Sequence, residues 1–288
     1  MNKAVDSVSA VAHGFLKRFG EDCGLKLQEV VKDIGLTIEE VDADRFEGAL
    51  LRVSGIPRGT VVLNKNVRED GRKLFTLAHE IGHYLLPNQQ DRAGPCSRSD
   101  ISQWSSTLPL AELEANRFAA EILMPDARIA EFLRSEPRFD FILQIADQCR
   151  TTLTAAMYRY VELSSFRIAM VWSTKGRSIW YKASEEFGRA IELGPLGTET
   201  YAHDCFLNEE IPDRFEPVPA KAWLYDSNLR DDAKILEQST FLPFYMSTLS
   251  LLYLKDRVEQ RDDFDEEDES ELDPAEFTVN RRRWPRKK

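Results

Sequence analysis

The stretch Leu74-Phe75-Thr76-Leu77-Ala78-His79-Glu80-Ile81-Gly82-His83-Tyr84-Leu85-Leu86 carries more structural information than any other part of the chain. Leu74, Leu77, Ala78, Ile81 and Leu85 recur at steps of three and four, the period of a helix with one apolar face. Asp70 stands where an N-cap belongs, and Pro87 where a helix must stop. On such a helix, residues four apart share a face, so His79 and His83 can aim both imidazoles at one ion. Glu80 lies beside them, placed to act as general base on a metal-activated water, the chemistry expected of an H-E-x-x-H pattern. A chance match is the competing explanation, because the pattern has two free positions; the unbroken helical context argues against it. Gly82 costs a helix interior about 1 kcal/mol relative to alanine. A glycine there predicts close approach of another backbone or of substrate.

Catalytic zinc takes three protein ligands and leaves a fourth position open, so one more ligand must come from elsewhere. The remaining histidines are His13 and His203, and the cysteines are Cys23, Cys96, Cys149 and Cys205, none in a C-x-x-C pair. An acidic ligand fits better. The run from Glu112 to Met124, stopped by Pro125, has a second helical pattern, with Leu113, Ala115, Phe118, Ala119 and Ile122 as its buried stripe. Glu114 lies at the edge of that stripe, one turn before Phe118. Turned inward, its carboxylate needs a cation or a hydrogen-bond donor, since an unpaired buried charge costs several kcal/mol. Zinc is such a partner. Taken alone, Glu114 reads equally as part of a solvated helix face, and Glu112 and Glu121 are alternative ligands.

Three blocks together resemble a known family: Gly59-Thr60-Val61-Val62-Leu63-Asn64, the run from Phe75 to Leu86, and Glu114-Ala115-Asn116-Arg117-Phe118-Ala119-Ala120-Glu121-Ile122-Leu123-Met124-Pro125. They are similar to the ImmA/IrrE zinc metallopeptidases over about residues 25 to 165. The resemblance implies that His79 and His83 are zinc ligands, that Glu80 is the catalytic acid/base, and that Glu114 is the third ligand. It also implies a cytoplasmic protein that cleaves a helix-turn-helix repressor and so induces genes of a mobile element or a stress response. Zinc is the implied cofactor, with manganese able to substitute in vitro.

Elsewhere the periodicity predicts an α+β chain. Helices are expected over Ala4 to Phe19 and Leu25 to Gly35, and strands over Ile38 to Val41, Ala49 to Val53 and Thr60 to Leu63, where β-branched residues alternate between glycines and Pro57. These elements and the motif helix define a zincin-like catalytic domain over residues 1–125, whose short sheet is positioned to align an extended substrate strand. Between the two helices expected to hold the metal, Pro87 to Pro109 is polar and reads as a long loop, either gating the cleft or forming a disordered surface excursion. Residues 126–164 are helical, and the part from Ile142 to Val161 resembles a helix-turn-helix. Its second helix offers only Thr152, Thr154 and Arg159 for reading bases, so packing against the catalytic helices is the favoured role.

Residues 165–260 predict a C-terminal mixed α/β module, in the position of a sensory module. Its expected strands are Phe166 to Trp172, Ser178 to Lys182, Lys221 to Tyr225, Ala233 to Glu237 and Leu249 to Leu254. Helical pattern survives over Ser184 to Ile191 and Thr198 to Cys205. Phe241, Phe244, Tyr245 and Tyr253 are read as core rather than pocket. Residues 261–288 form a charged tail, expected to be disordered: ten acidic residues from Asp262 to Glu276, then six basic ones from Arg281 to Lys288.

A formal net charge of −11 disfavours non-specific nucleic-acid binding, and DNA contact through the basic end is the lesser expectation. Unclustered cysteines, no apolar run near the roughly 18 residues that span a bilayer, and no secretory pattern at the N-terminus predict a cytoplasmic protein that does not bind membrane. The expected partner is a protein substrate. The alternative is a DNA-binding or ligand-sensing regulator with a non-proteolytic zinc site, and nothing in the sequence sets an oligomeric state.

Overall fold

The computed structural model describes residues 7–44, 46–53, 56–89, 94–97, 100, 104, 108–226 and 229–255. The expected helix start at residues 4–6 and both charge runs of the tail lie outside the described residues.

Helices α1 (Ser7–Phe19) and α2 (Leu27–Asp33) precede a four-stranded sheet of β1 (Leu36–Val41), β2 (Gly48–Arg52), β3 (Gly59–Asn64) and β4 (Gly94–Cys96). Its order is β1-β3-β2-β4, with β1 parallel to β3 and the other neighbours antiparallel. The motif helix α3 (Asp70–Leu85) follows β3 directly and lies against it and β2. Helix α4 (Leu110–Leu123) crosses α3, and α1 closes over α4.

Gly82 explains how near the two central helices come. A Cβ added there would stand 3.2 Å from the Ala115 Cα and 3.2 Å from the Phe118 ring. The close approach expected at Gly82 is therefore to the α4 backbone, at two fully buried small or flat residues.

After the single turn α5 (Asp126–Ile129) come α6 (Phe139–Gln148) and α7 (Leu153–Leu163). Thr152 caps α7 by accepting from the Ala155 amide at 3.2 Å. Two of the residues considered for base reading are spent inside the protein. Thr154 is buried, and Arg159 is buried with its guanidinium on Asp126 Oδ1 at 2.5 Å, Glu162 Oε2 at 2.7 Å and the Met124 carbonyl at 3.3 Å.

The second sheet comprises β5 (Ile168–Thr174), β6 (Arg177–Ala183), β7 (Gly194–Pro195), β8 (Glu216–Pro219), β9 (Lys234–Leu242) and β10 (Ser247–Tyr253) in the order β7-β6-β5-β10-β9-β8. Lys175 and Gly176, both at positive φ, turn a hairpin between β5 and β6, the two strands expected on either side. The period of two sorts side chains between two cores. Ile168, Met170, Trp172, Leu249, Leu251 and Tyr253 join the same apolar cluster as α3 and α4, whereas Ala169, Val171, Ile235 and Leu252 join a second one with Trp223 and with Ala202 of helix α8 (Tyr201–Leu207). One core thus runs across residues 125 and 164. A buried ion pair, Arg72 Nε to Glu47 Oε2 at 2.6 Å, adds to the join, because the same guanidinium also donates to the Tyr245 hydroxyl of the second sheet's β9–β10 connection.

Some expectations change. Lys221 to Tyr225 is a short 3-10 turn and an isolated bridge, Leu224 with Ile191, rather than a strand; Trp223 and Leu224 are buried from that turn. Ser184 to Ile191 contains one 3-10 turn, Glu185–Phe187, ended by Gly188 at φ 63°. The Pro87–Pro109 loop contains β4 and a buried Trp104 stacked on Tyr158 at 3.8 Å. A three-residue strand holding a proline is too short to register as alternation. Among the described residues, no helix is long and apolar enough to cross a membrane.

Candidate metal centre

His79, Glu80 and His83 all face inward from α3, with exposures of 0%, 0% and 2%. The two Nε2 atoms lie 2.9 Å apart, and Glu112 Oε2 of α4 lies 3.1 Å from His79 Nε2 and 3.4 Å from His83 Nε2. Cys96 Sγ of β4 is 3.6 Å from His83 Nε2. These four donor atoms lie within 4.8 Å of one another, and all four residues are buried.

Amide side chains behind the imidazoles determine what the cluster can bind. Asn116 Nδ2 donates to the Asp100 carbonyl at 2.8 Å, which turns its Oδ1 to His79 Nδ1 at 2.9 Å. Gln89 Nε2 donates to the Ala111 carbonyl and to Glu114 Oε2, which turns its Oε1 to His83 Nδ1 at 2.5 Å. Each amide oxygen must accept, so each Nδ1 carries the proton and each Nε2 directs a lone pair into the cluster. Two lone pairs and a carboxylate facing one another repel unless a cation sits among them. Imidazoles held in this tautomer by hydrogen bonds from behind are the usual support of a metal. The residues therefore fit a divalent ion of the zinc type, with nitrogen, oxygen and sulfur donors.

The carboxylate beside the two imidazoles is that of Glu112, and Glu114, the expected third ligand, lies outside the cluster. Glu112 is 1% exposed and in the cluster; Glu114 is half-buried one step outside it, holding the Gln89 that holds His83. Two residues along a helix turn the side chain by about 200°, so the two glutamates cannot serve the same point. Leu113 misled the choice of face: it is only partly buried, and the inward face of α4 runs through Glu112, Ala115, Asn116, Ala119 and Ile122. Glu121 is buried elsewhere, with Oε1 accepting from Ser9 at 2.8 Å and burial pushing its carboxyl up.

Glu80 sits against the sheet. A Cβ on Gly48 of β2 would stand 2.8 Å from Glu80 Oε1 and 2.5 Å from the Thr76 methyl, so only glycine leaves room there. Sequence reasoning passed over Gln89, Asn116 and Cys96. Asn116, one turn after Glu112, was detectable by helical spacing; Gln89 and Cys96 reach the site through a turn and a strand with no local signature.

An imidazole pair and a carboxylate on two packed helices, with a buried glutamate inside an H-E-x-x-H motif, make a candidate metallopeptidase centre. Residues 31–160 match the peptidase family described as the IrrE N-terminal-like domain. The radiation response metalloprotease IrrE of Deinococcus radiodurans is 32% identical over 107 residues, covering 37% of this chain and 32% of that protein. The chain thus aligns with about a third of that relative's length.

Proposed function

We propose that this chain is a zinc-dependent endopeptidase in which His79, His83 and Glu112 hold the metal and Glu80 is the catalytic acid/base. The reading is carried by one observation: Asn116 and Gln89 set both imidazole tautomers so that Nε2 lone pairs converge on a buried carboxylate, beside a second glutamate that is 0% exposed. When bound, the ion supplies Lewis acidity that acidifies a water and polarises a scissile carbonyl. Glu80 takes the proton of the attacking water and delivers it to the leaving amine. Asn116 and Gln89 keep the imidazoles from rotating out of register.

The substrate we propose is a helix-turn-helix transcriptional repressor, cleaved to relieve repression of a mobile-element or stress-response regulon. Family resemblance supports this. Four buried cysteines without a disulfide fit work in a reducing cytoplasm. Manganese is expected to replace zinc in vitro.

A second reading has its own support. With Cys96 the donors number four, and a closed four-ligand site is characteristic of structural zinc, as in a DNA-binding or ligand-sensing regulator. Glu80 has no task in such a site. The deciding experiment incubates the metal-loaded protein with the helix-turn-helix repressor encoded nearest its gene, with and without chelator, and maps fragments by mass spectrometry. Glu80→Gln should retain one metal per chain and lose at least about 100-fold in rate. A Glu80→Gln protein that cuts normally, or a loaded wild type that cuts none of the repressors encoded beside it, overturns the peptidase reading.

A further inference from the structure

Cys96 reaches the cluster on a strand, where the other three donors arrive on helices. Its Sγ lies 3.6 Å from His83 Nε2 and 4.0 Å from Glu112 Oε2. In a tetrahedral zinc site, ligand bonds near 2.0–2.1 Å for nitrogen or oxygen and about 2.3 Å for sulfur put neighbouring donors about 3.3 to 3.6 Å apart. The observed separations, 2.9 to 3.4 Å among the nitrogen and oxygen donors and 3.6 to 4.0 Å to sulfur, sit around those edges.

The strand that brings this thiol lies along the edge of β2. Cys96 pairs with Gly48, Pro95 with Ala49 and Gly94 with Leu50, antiparallel, and the Glu47 amide donates to the Cys96 carbonyl at 3.0 Å. Gly48 and Glu47 are placed from behind: Gly48 packs on Glu80 and Thr76 of the motif helix, and Glu47 is held by Arg72. An extended peptide presented to the metal from this sheet would add to the same β2 edge and bring its scissile carbonyl to the same coordination position.

We propose that the Cys96 thiolate is the fourth ligand of the resting metal site, and that β4 is an internal occupant of the substrate's place, so that the enzyme is latent until a peptide strand and a water displace β4 and its sulfur. The inference rests on the peptidase reading. β4 is suited to leaving: three residue pairs hold it, against six between β1 and β3, and Pro95 has no N–H to donate. Exchange for an incoming strand restores the same type of backbone hydrogen bonds, so the substrate's own pairing drives the opening. No bond is oxidised or broken beyond metal–sulfur coordination.

The test is cobalt substitution of the full chain. Wild type should show a thiolate-to-cobalt charge-transfer band, and Cys96→Ala and Cys96→Ser should lose that band while still binding one cobalt per chain. With the same repressor substrate, both Cys96 variants should cleave several-fold faster than wild type.

A fully cobalt-loaded wild type without the sulfur band overturns the ligand assignment. Variants that lose the band and cleave no faster overturn the latency. If the band is present and neither wild type nor variant cleaves, the peptidase reading fails while the sulfur ligand stands.

Discussion

Two glutamates of this molecule are buried to the same degree and solve the problem in opposite ways. Glu237 on β9 is 0% exposed and is ringed by protein donors: the Ala202 amide at 2.7 Å, the Ser239 hydroxyl at 2.7 Å and the Trp223 indole N–H at 2.8 Å. Glu112 on α4 is 1% exposed and faces two Nε2 atoms whose protons have been drawn to the far side of their rings. Glu237 is a structural carboxylate completed by its own chain. Glu112 stands in a set of donors that a cation completes. Burial alone therefore does not mark a functional acid; the chemistry of what faces it does.

The hardest test of this contrast is deletion of each carboxylate. Glu112→Ala should abolish stoichiometric metal binding and repressor cleavage, while the melting temperature of the metal-free protein changes little; retention of one tightly bound zinc would break the comparison. Glu237→Ala should leave metal content unchanged. It strands the buried Ala202 and Trp223 N–H donors, at about 1–3 kcal/mol each, while Ser239 keeps Ser250 at 2.7 Å, so a loss of about 2 kcal/mol or more is expected in denaturant titration.

Smaller effects sharpen the picture around the imidazoles. Asn116→Ala and Gln89→Ala should each weaken zinc binding by roughly 10–100-fold, measured by competition with a chelating dye. Glu114→Ala acts one step further out, through Gln89, and should cost less than either. A larger loss for Glu114→Ala than for Glu112→Ala would restore Glu114 as the ligand.

The smallest effect is a pH dependence on the structural side. Burial pushes the Glu237 carboxyl above its ordinary value of 4.5, and this outweighs the lowering by Ser239, Trp223 and Ala202. The folded state then holds a proton that the unfolded state has released. The stability from this group is fully present below about pH 4.5 and is lost as pH rises through the raised folded value. As pH rises from 4, the urea midpoint of metal-free wild type should fall relative to that of Glu237→Gln, which lacks the titrating group. An identical pH slope in both proteins rejects it.

Gly82 and Cys96 show how much of the site was legible beforehand. Gly82 declared a close approach from its cost in a helix, and the partner proved to be the Ala115 backbone. The hairpin at Lys175-Gly176 and the inward-facing side of α3 were equally local. Cys96 declared nothing, because a lone cysteine beside a proline in a polar stretch has no period to read. Thr154 and Arg159 were legible as helix residues, yet their burial depended on α7 packing against α4.

The amino-acid sequence by itself determined that one helix carries two imidazoles and a carboxylate on a common face, because helical spacing is set by the backbone within a single turn. It also determined most strands, through alternation and turn residues. Only the tertiary structure decided that Glu112 rather than Glu114 meets the imidazoles, that Asn116 and Gln89 orient them, and that a strand edge brings Cys96 beside them. Those choices depend on the rotation of α4 about its axis against α3 and on pairing between β2 and a strand 46 residues further on, counted from Gly48 to Gly94. Such relations are fixed by packing between distant segments, and no local pattern in the chain encodes them.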